Sequence, residues 1–244
     1  MRPFHSHPDD VLWKFKIKDW FDEADPLAID ILKLLAADED LLNIERFKEI
    51  LETDRPGEQA NEITRIKWNR AQFFLLRLRH GFLHNAFEEI INNTYTSSKG
   101  KKRRPSLEEL VKGMGPKVRA AHEELRNVMS NSKRAMNLID SFRNLTSFHY
   151  EGGSFSKALA IIGSDIGKMI VNPVEKDLHS IVAYQILDVI PGGRLSKDEV
   201  LETKEEIELL QGKLHAFTFA LFDEYFLTHS LREKIVSSEG PGVQ

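Results

Sequence analysis

Three side chains that together could act on a phosphodiester lie within seven consecutive residues, namely Arg143, Asn144 and His149. Histidine titrates near neutral pH, so His149 could move the proton of a 2′-hydroxyl or protonate a leaving oxygen. Arginine offers a fixed fork of donors to a phosphate whose negative charge grows in the transition state. Asn144 could orient the substrate or the imidazole. These are the side chains that RNA cleavage needs when neither a metal nor another cofactor takes part.

Helical geometry places a constraint on such a site. On an α-helix, six residues at roughly 100° each put Arg143 and His149 about 120° apart. The two side chains then do not face one substrate from a single side of the helix. Two copies of the chain that meet across a two-fold axis would bring the arginine of one copy near the histidine of the other, because such an interface joins equal patches. We therefore expect a homodimer with a shared cleft.

The string Arg143-Asn144, followed by four residues and then His149-Tyr150, resembles the motif of the HEPN superfamily. That motif is an arginine and a histidine separated by four to six residues, of which the first is polar and often asparagine. The local sequence RNLTSFHY is most similar to the branch related to abortive phage-infection proteins. The resemblance covers about residues 59–170.

This resemblance implies a helical bundle that dimerises and cleaves RNA at the motif without a metal ion. By the same resemblance Arg143 would bind the phosphate, His149 would act as acid or base, and Asn144 would orient the substrate. It also implies a role in phage defence or in a toxin system, with RNA as the substrate and an antitoxin or a defence protein as a partner.

A second interpretation belongs to a different class of function. His149 could be an inert histidine that packs at the end of a helix, and many HEPN relatives keep the fold without the activity. The chain would then be a catalytically inactive helical bundle that binds a protein or a nucleic acid. Cleavage of RNA by the purified protein distinguishes the two interpretations.

A polar line with helical spacing runs along the most apolar helical stretch of the sequence: Arg77, His80, His84 and Glu88. It could face solvent or a partner, or Arg77 and His80 could line an RNA cleft beside the main motif. His80 and His84 could instead present two imidazoles to one metal, although Gly81 stands where a zincin motif has its glutamate.

The motif spacing also occurs elsewhere in the chain, because both Arg77 and Arg79 precede His84 at a compatible distance. Arg143 is preferred, since an asparagine follows it and it lies near the end of an amphipathic stripe. A separate basic run could grip RNA phosphates in a salt-dependent manner, or could be a flexible charged loop. It consists of Lys101, Lys102, Arg103 and Arg104.

Composition bounds the remaining possibilities. The 244 residues are 41% apolar and 30% charged, which is ordinary for a globular protein with a core. The absence of cysteine excludes disulfides, thiol nucleophiles and thiolate metal sites. The formal net charge of −4 excludes a strongly basic nucleic-acid binder, but not a local basic patch. With no apolar run long enough for a membrane span and no signal peptide, we expect a cytoplasmic protein without membrane contact.

The pattern of apolar residues predicts an all-α fold. Glycine and proline are sparse, and between them apolar residues recur every three or four positions. The predicted helices cover residues 8–22, 27–36, 40–53, 59–93, 117–150, 156–170 and 197–235, and Ser106 with Glu109 suggests a capping box that opens a short helix. Residues 178–190 fit a helix or a buried strand, and we take them as a helix.

The two longest amphipathic stripes, within 117–150 and 197–235, keep a period near 3.5 residues, which favours near-antiparallel packing in a bundle. We therefore expect a helical extension at residues 1–58 and a HEPN-like bundle at 59–244, with its core at about 59–170 and a long C-terminal helix.

Overall fold

The computed structural model describes residues 12–22, 24–91, 106–142, 169–172, 177–180 and 197–239. Most of the described residues are helical, which confirms the predicted all-α fold. In chain order the elements are β1 (Leu12–Phe15), α1 (Ile17–Trp20), α2 (Pro26–Thr53), α3 (Glu62–His84), a π-helix (Asn85–Ile91), α4 (Leu107–Lys112), α5 (Pro116–Asn131), α6 (Lys133–Phe142), β2 (Met169–Asn172), β3 (Asp177–Ser180), α7 (Lys197–Thr228), a 3₁₀ helix (Leu231–Lys234) and β4 (Ile235–Glu239).

These elements belong to two compact units, each assembled from separate stretches of the chain. The first unit comprises Met1–Leu42, Asn85–Asn131 and Leu209–Gln244, and the second comprises Asn43–His84 and Ser132–Glu208. Helices α2 and α7 each have residues in both units. The prediction of an extension at 1–58 and a bundle at 59–244 remains a prediction.

In the first unit, buried apolar side chains come from α2, the π-helix, α4, α5 and α7. Polar contacts tie α5 to α7 along their length. The backbone N–H of Gly115, just before α5, donates to Glu224 Oε1 at 2.5 Å, and Lys117 and Lys213 form ion pairs with Asp223 and Glu124. The largest fully buried side chains of this unit are Tyr225, Phe87, Phe217, Ile31, Leu34, Leu41, Leu107, Leu125, Leu210, Leu214.

In the second unit, α3 packs against α6. The indole Nε1 of Trp68 on α3 donates to the carbonyl oxygen of Leu51 on α2 at 2.8 Å. Strands β2 and β3 form a short antiparallel pair in the same unit. The buried apolar side chains here include Ile44, Leu75, Leu83, Ala135, Ile139, Ile207. Helix α3 is therefore held between α2 on one side and α6 on another.

The predicted helices at 27–36 and 40–53 are in fact one helix, α2. The sequence across their junction, residues 36–40 (Ala-Ala-Asp-Glu-Asp), contains no glycine or proline, and alanine is the strongest helix former. Asp40, a residue type that often caps a helix and the first residue of the predicted helix 40–53, lies inside this helix. A good capping residue therefore does not start a helix where the preceding turn is already helical.

The predicted helix at 117–150 is divided at Ser132 into α5 and α6. The carbonyl of Ser132 accepts the amide of Met136, whereas the amide of Ala135 donates to Glu206 of α7 at 3.0 Å. The amide of Ala135 thus donates to the Glu206 carboxylate instead of to a backbone carbonyl four residues earlier. This contact satisfies an amide in the first turn of α6, where the new helix begins. Residues 143–150 lie outside the described residues.

At the two ends of the chain, pairing between distant segments overrides the helical pattern. Residues 12–15, predicted as part of a helix at 8–22, form β1, which pairs antiparallel with β4. The C-terminal helix ends at Thr228 rather than near 235, and Ser230, two residues after its end, adopts a left-handed φ of 49°. This pairing could not be inferred from local periodicity.

Two further helix predictions fail where the structure can be compared with them. Residues 169–170 belong to β2 and residues 178–180 to β3, so the strand alternative holds at the start of 178–190. The remainder of the predicted helices at 156–170 and 178–190 lies outside the described residues. The capping box is confirmed, because Ser106 Oγ accepts the amide of Glu109 while Glu109 Oε2 accepts that of Ser106.

Candidate functional site

The candidate catalytic motif follows directly on helix α6 in the sequence. Arg143, Asn144 and His149 lie outside the described residues, as does the basic run Lys101, Lys102, Arg103 and Arg104. Helix α6 ends at Phe142, one residue before the motif begins. The described part of the site is therefore the end of α6 and the side chains that surround it.

Helix α6 is anchored by polar contacts near both ends. At its start, Arg134 forms ion pairs with Glu199 and Glu202 of α7, at 3.8 and 2.7 Å. In its last turn, Asp140 Oδ1 lies 3.5 Å from Nε2 of His84, the final residue of α3. These contacts and the packing on α3 support the helix that leads into Arg143.

Three of the four residues of the predicted polar line lie on α3, and they differ in environment. Arg77, His80 and His84 occur at steps of three and four residues, so they share one side of the helix. Arg77 is half-buried, and its Nε is shielded from solvent without a hydrogen-bond partner among the described residues. His84 is almost fully buried, with 5% of its side chain exposed. A shielded guanidinium nitrogen favours a nearby anion or polar acceptor.

His80 is a neutral, buried histidine. Its Nδ1 lies 2.6 Å from the carbonyl oxygen of Leu76, so Nδ1–H donates to that oxygen. Burial lowers the pKa of His80 to about 4, against a weaker opposing effect of this hydrogen bond, and the charge of Arg79 lowers the pKa further. The imidazole therefore carries no charge at pH 7.

The second arginine–histidine pair of suitable spacing, Arg79 and His84, is not brought together. Arg79 NH1 lies 3.6 Å from Glu45 Oε1 of α2, whereas His84 faces Asp140 of α6. Five residues on a helix separate two side chains by roughly 140°, which accounts for the different directions. Arg77 and His84, seven residues apart, do share a helix side.

The metal interpretation of His80, His84 and Glu88 gains no support. Among the described residues, no three histidine or carboxylate side chains are grouped so that they could hold a metal ion. Glu88 lies in the π-helix that begins at Asn85 and is exposed, whereas His84 is almost fully buried. The two side chains therefore occupy different environments.

Asp140 and Glu45 are polar partners that the sequence did not indicate. Asp140 stands in the last turn of a helix, where the helix dipole disfavours an acid. That position is a weak signal for a nearby polar partner, which the structure identifies as His84. Glu45 gave no signal, because an acid on an amphipathic helix is usually solvated.

None of the helices in the described ranges is long and apolar enough to cross a membrane. Comparison of the chain with protein-family models, with curated proteins and with solved structures found no match.

Proposed function

We propose that this chain is a metal-independent endoribonuclease of the HEPN type, active as a homodimer in phage defence or in a toxin system. The observation that carries the proposal is a string made of Arg143-Asn144, four further residues and His149. This string begins at the residue that follows helix α6. Helix α6 is anchored on α3 and α7, and a rigid support of this kind is what a catalytic arginine requires.

In the proposed reaction, the 2′-hydroxyl oxygen attacks the adjacent phosphorus, and the bond from phosphorus to the 5′-oxygen of the next nucleotide breaks. His149 takes the proton from the 2′-hydroxyl or gives one to the leaving 5′-oxygen. Arg143 donates to the phosphate oxygens, whose negative charge grows as the new bond forms. Asn144 orients the substrate. The products are a 2′,3′-cyclic phosphate and a free 5′-hydroxyl.

RNA binding draws on two further groups of residues. The half-buried Arg77 gains from a phosphate, because an anion offsets the unfavourable burial of its charge. His80, one turn along α3, is fully buried. The basic run Lys101, Lys102, Arg103 and Arg104 contacts phosphates and makes the affinity salt-dependent.

The homodimer is part of this proposal because of the angle between the two catalytic side chains. If α6 continued as a helix through the motif, Arg143 and His149 would be about 120° apart. A two-fold axis would then combine the arginine of one chain with the histidine of the other. An antitoxin or a defence protein is the further partner that such a nuclease requires for its control.

The test uses the purified full chain and a panel of unstructured and hairpin RNAs in the presence of EDTA. Wild-type protein is expected to yield fragments with a 2′,3′-cyclic phosphate. His149→Ala and Arg143→Ala are expected to lower the cleavage rate by at least about 100-fold with unchanged helical circular dichroism. The control is His215→Ala, which removes a half-exposed histidine from α7.

Full activity in either motif variant would remove the assignment, and so would a requirement for a divalent metal. Wild-type protein that binds RNA but leaves the whole panel intact would favour the other function, a catalytically inactive helical bundle that binds a partner.

A further inference from the structure

The last turn of α6 contains an acid at a position that helix electrostatics disfavour. The carbonyl end of a helix carries a partial negative charge, so Asp140 is repelled there unless another group compensates. Alanine at this position would also have the higher helix propensity. An isolated α6 would therefore be more stable without this aspartate, and a reason for its presence must lie in what it touches.

Among the described residues, one group that it touches is His84 of α3. Nε2 of His84 lies 3.5 Å from Asp140 Oδ1, and only 5% of the histidine side chain is exposed. His84 is the last residue of α3, and a seven-residue π-helix begins at the next residue. Such π-helical segments are rare and occur often at functional sites. An acid at the end of one helix and a buried imidazole at the end of its neighbour thus meet three residues before Arg143.

We propose that His84 and Asp140 are a positioning pair, which holds the last turn of α6 on α3 and so sets where the chain enters the motif. This inference rests on the proposed function, because the role of the pair in cleavage is to place Arg143. Neither residue touches the reacting phosphate in the proposal. A displacement of about 1 Å at a catalytic group lowers a rate by roughly 100-fold, so a loosened last turn is sufficient to impair cleavage.

The first experiment needs no activity and measures amide hydrogen exchange in the last turn of α6. In Asp140→Ala, helix dipole and helix propensity both predict slower exchange, whereas loss of the pair predicts faster exchange. We expect exchange to accelerate by about fivefold or more in Asp140→Ala and likewise in His84→Gln, with no further increase in the double variant. The matched control is the His215–Asp38 pair, whose atoms lie 2.8 Å apart in the first unit. His215→Gln is expected to leave exchange in α6 unchanged.

The second experiment measures cleavage by the same variants. We expect kcat to fall by roughly tenfold or more with KM nearly unchanged, because the pair affects the placement of Arg143 and not the binding of RNA. Asp140→Glu, which keeps a carboxylate at this position, is expected to recover much of the lost kcat. His215→Gln serves again as the control.

The two experiments separate failure of the inference from failure of the proposed function. Slower or unchanged exchange in Asp140→Ala would overturn the positioning pair whether or not the protein cleaves RNA. Faster exchange with an inactive wild-type protein would keep the structural pair but remove its catalytic role. A rise in KM at constant kcat would also overturn the inference, since it would place the pair in RNA binding.

Discussion

The charge of a single buried histidine couples protonation to the stability of this fold. In the unfolded chain a histidine gains its proton near pH 6.5, whereas burial lowers the pKa of His80 in the folded protein to about 4. Between these values the unfolded state binds more protons than the folded state. His80 therefore contributes a loss of stability as the pH decreases from 6.5 toward 4.

Replacement of His80 by glutamine is expected to remove this component of the pH dependence. Between pH 7 and pH 4, the free energy of unfolding of the wild-type protein should fall by roughly 3 kcal/mol more than that of His80→Gln. Urea unfolding at a series of pH values measures the difference. His215→Gln, at a half-exposed histidine, controls for the loss of an imidazole as such. An equal decrease in the free energy of unfolding between pH 7 and pH 4 in wild type and His80→Gln would contradict the expectation.

A second prediction at this scale concerns Ser230, whose φ of 49° lies in the left-handed region. Residues just past a helix end often adopt this conformation, and glycine adopts it without a steric cost. Ser230→Gly should therefore raise the free energy of unfolding by about 0.5–1 kcal/mol. Ser130→Gly, inside α5, should lower it by a similar amount. Chemical denaturation of both variants tests whether the two changes in the free energy of unfolding have opposite signs.

Among the elements, α5 is the clearest case of a helix fixed at its beginning by a distant side chain. The amide of Gly115 precedes α5 and donates to Glu224, so a carboxylate of α7 supplies the anion that a helix N-terminus favours. The absence of a side chain at Gly115 permits this close approach, because an added Cβ would lie 2.6 Å from Glu224 Oε2.

Two glycine substitutions that should change the free energy of unfolding in opposite directions test this interpretation. Gly115→Ala displaces the Glu224 carboxylate and should lower the free energy of unfolding by about 1 kcal/mol, which is typical of a lost cap. Gly212→Ala should raise it by about 0.5–1 kcal/mol, because a Cβ there meets nothing within 4 Å inside α7. Thermal or urea unfolding gives both values. A neutral Gly115→Ala would mean that Glu224 is not a cap.

An element could be predicted from the sequence where the residues that determine it lie close together in the chain. The capping box at Ser106 was predictable because both partners lie within four residues. The start of α6 was not, since its cause is Glu206, 71 residues away from Ala135. The same reasoning applies to β1, whose extended form depends on β4 at the other end of the chain. The residues 169–172 and 177–180 likewise gave no strand signal that outweighed the helical surroundings.

For the candidate site, the sequence indicated side chains and the structure adds partners. Arg77, His80 and His84 share one side of α3, which helical spacing alone determines, whereas Glu88 lies in the π-helix. The neutrality of His80 and the contact of His84 with Asp140 depend on packing, which a single sequence does not reveal. The arrangement of Arg143, Asn144 and His149 stays a prediction.

At the scale of the whole molecule, a composite site makes a prediction about mixed dimers. If each site takes Arg143 from one chain and His149 from the other, a dimer of Arg143→Ala with His149→Ala has one site in which both residues are intact. Equal mixing with free exchange should then restore about a quarter of the wild-type activity, since half of the dimers are mixed and each has one working site. Cleavage assays after subunit exchange measure this.

The control for complementation is His149→Ala alone at the same total protein concentration. No recovery in the mixture of the two different variants, although both single variants are inactive and subunits exchange, would place both catalytic residues within one chain.

The π-helix at Asn85–Ile91 determines what the loss of one residue from this stretch would do. Its wider turn accommodates one residue more than an α-helix does. Ala86, Phe87 and Ile91 are all buried within it. Deleting one residue would let the wide turn close to an ordinary α-helix and leave the residues that follow in nearly their present orientation. The same deletion inside a regular α-helix such as α3 would rotate every later side chain by about 100°, so the π-helix should tolerate a one-codon deletion better than α3 does.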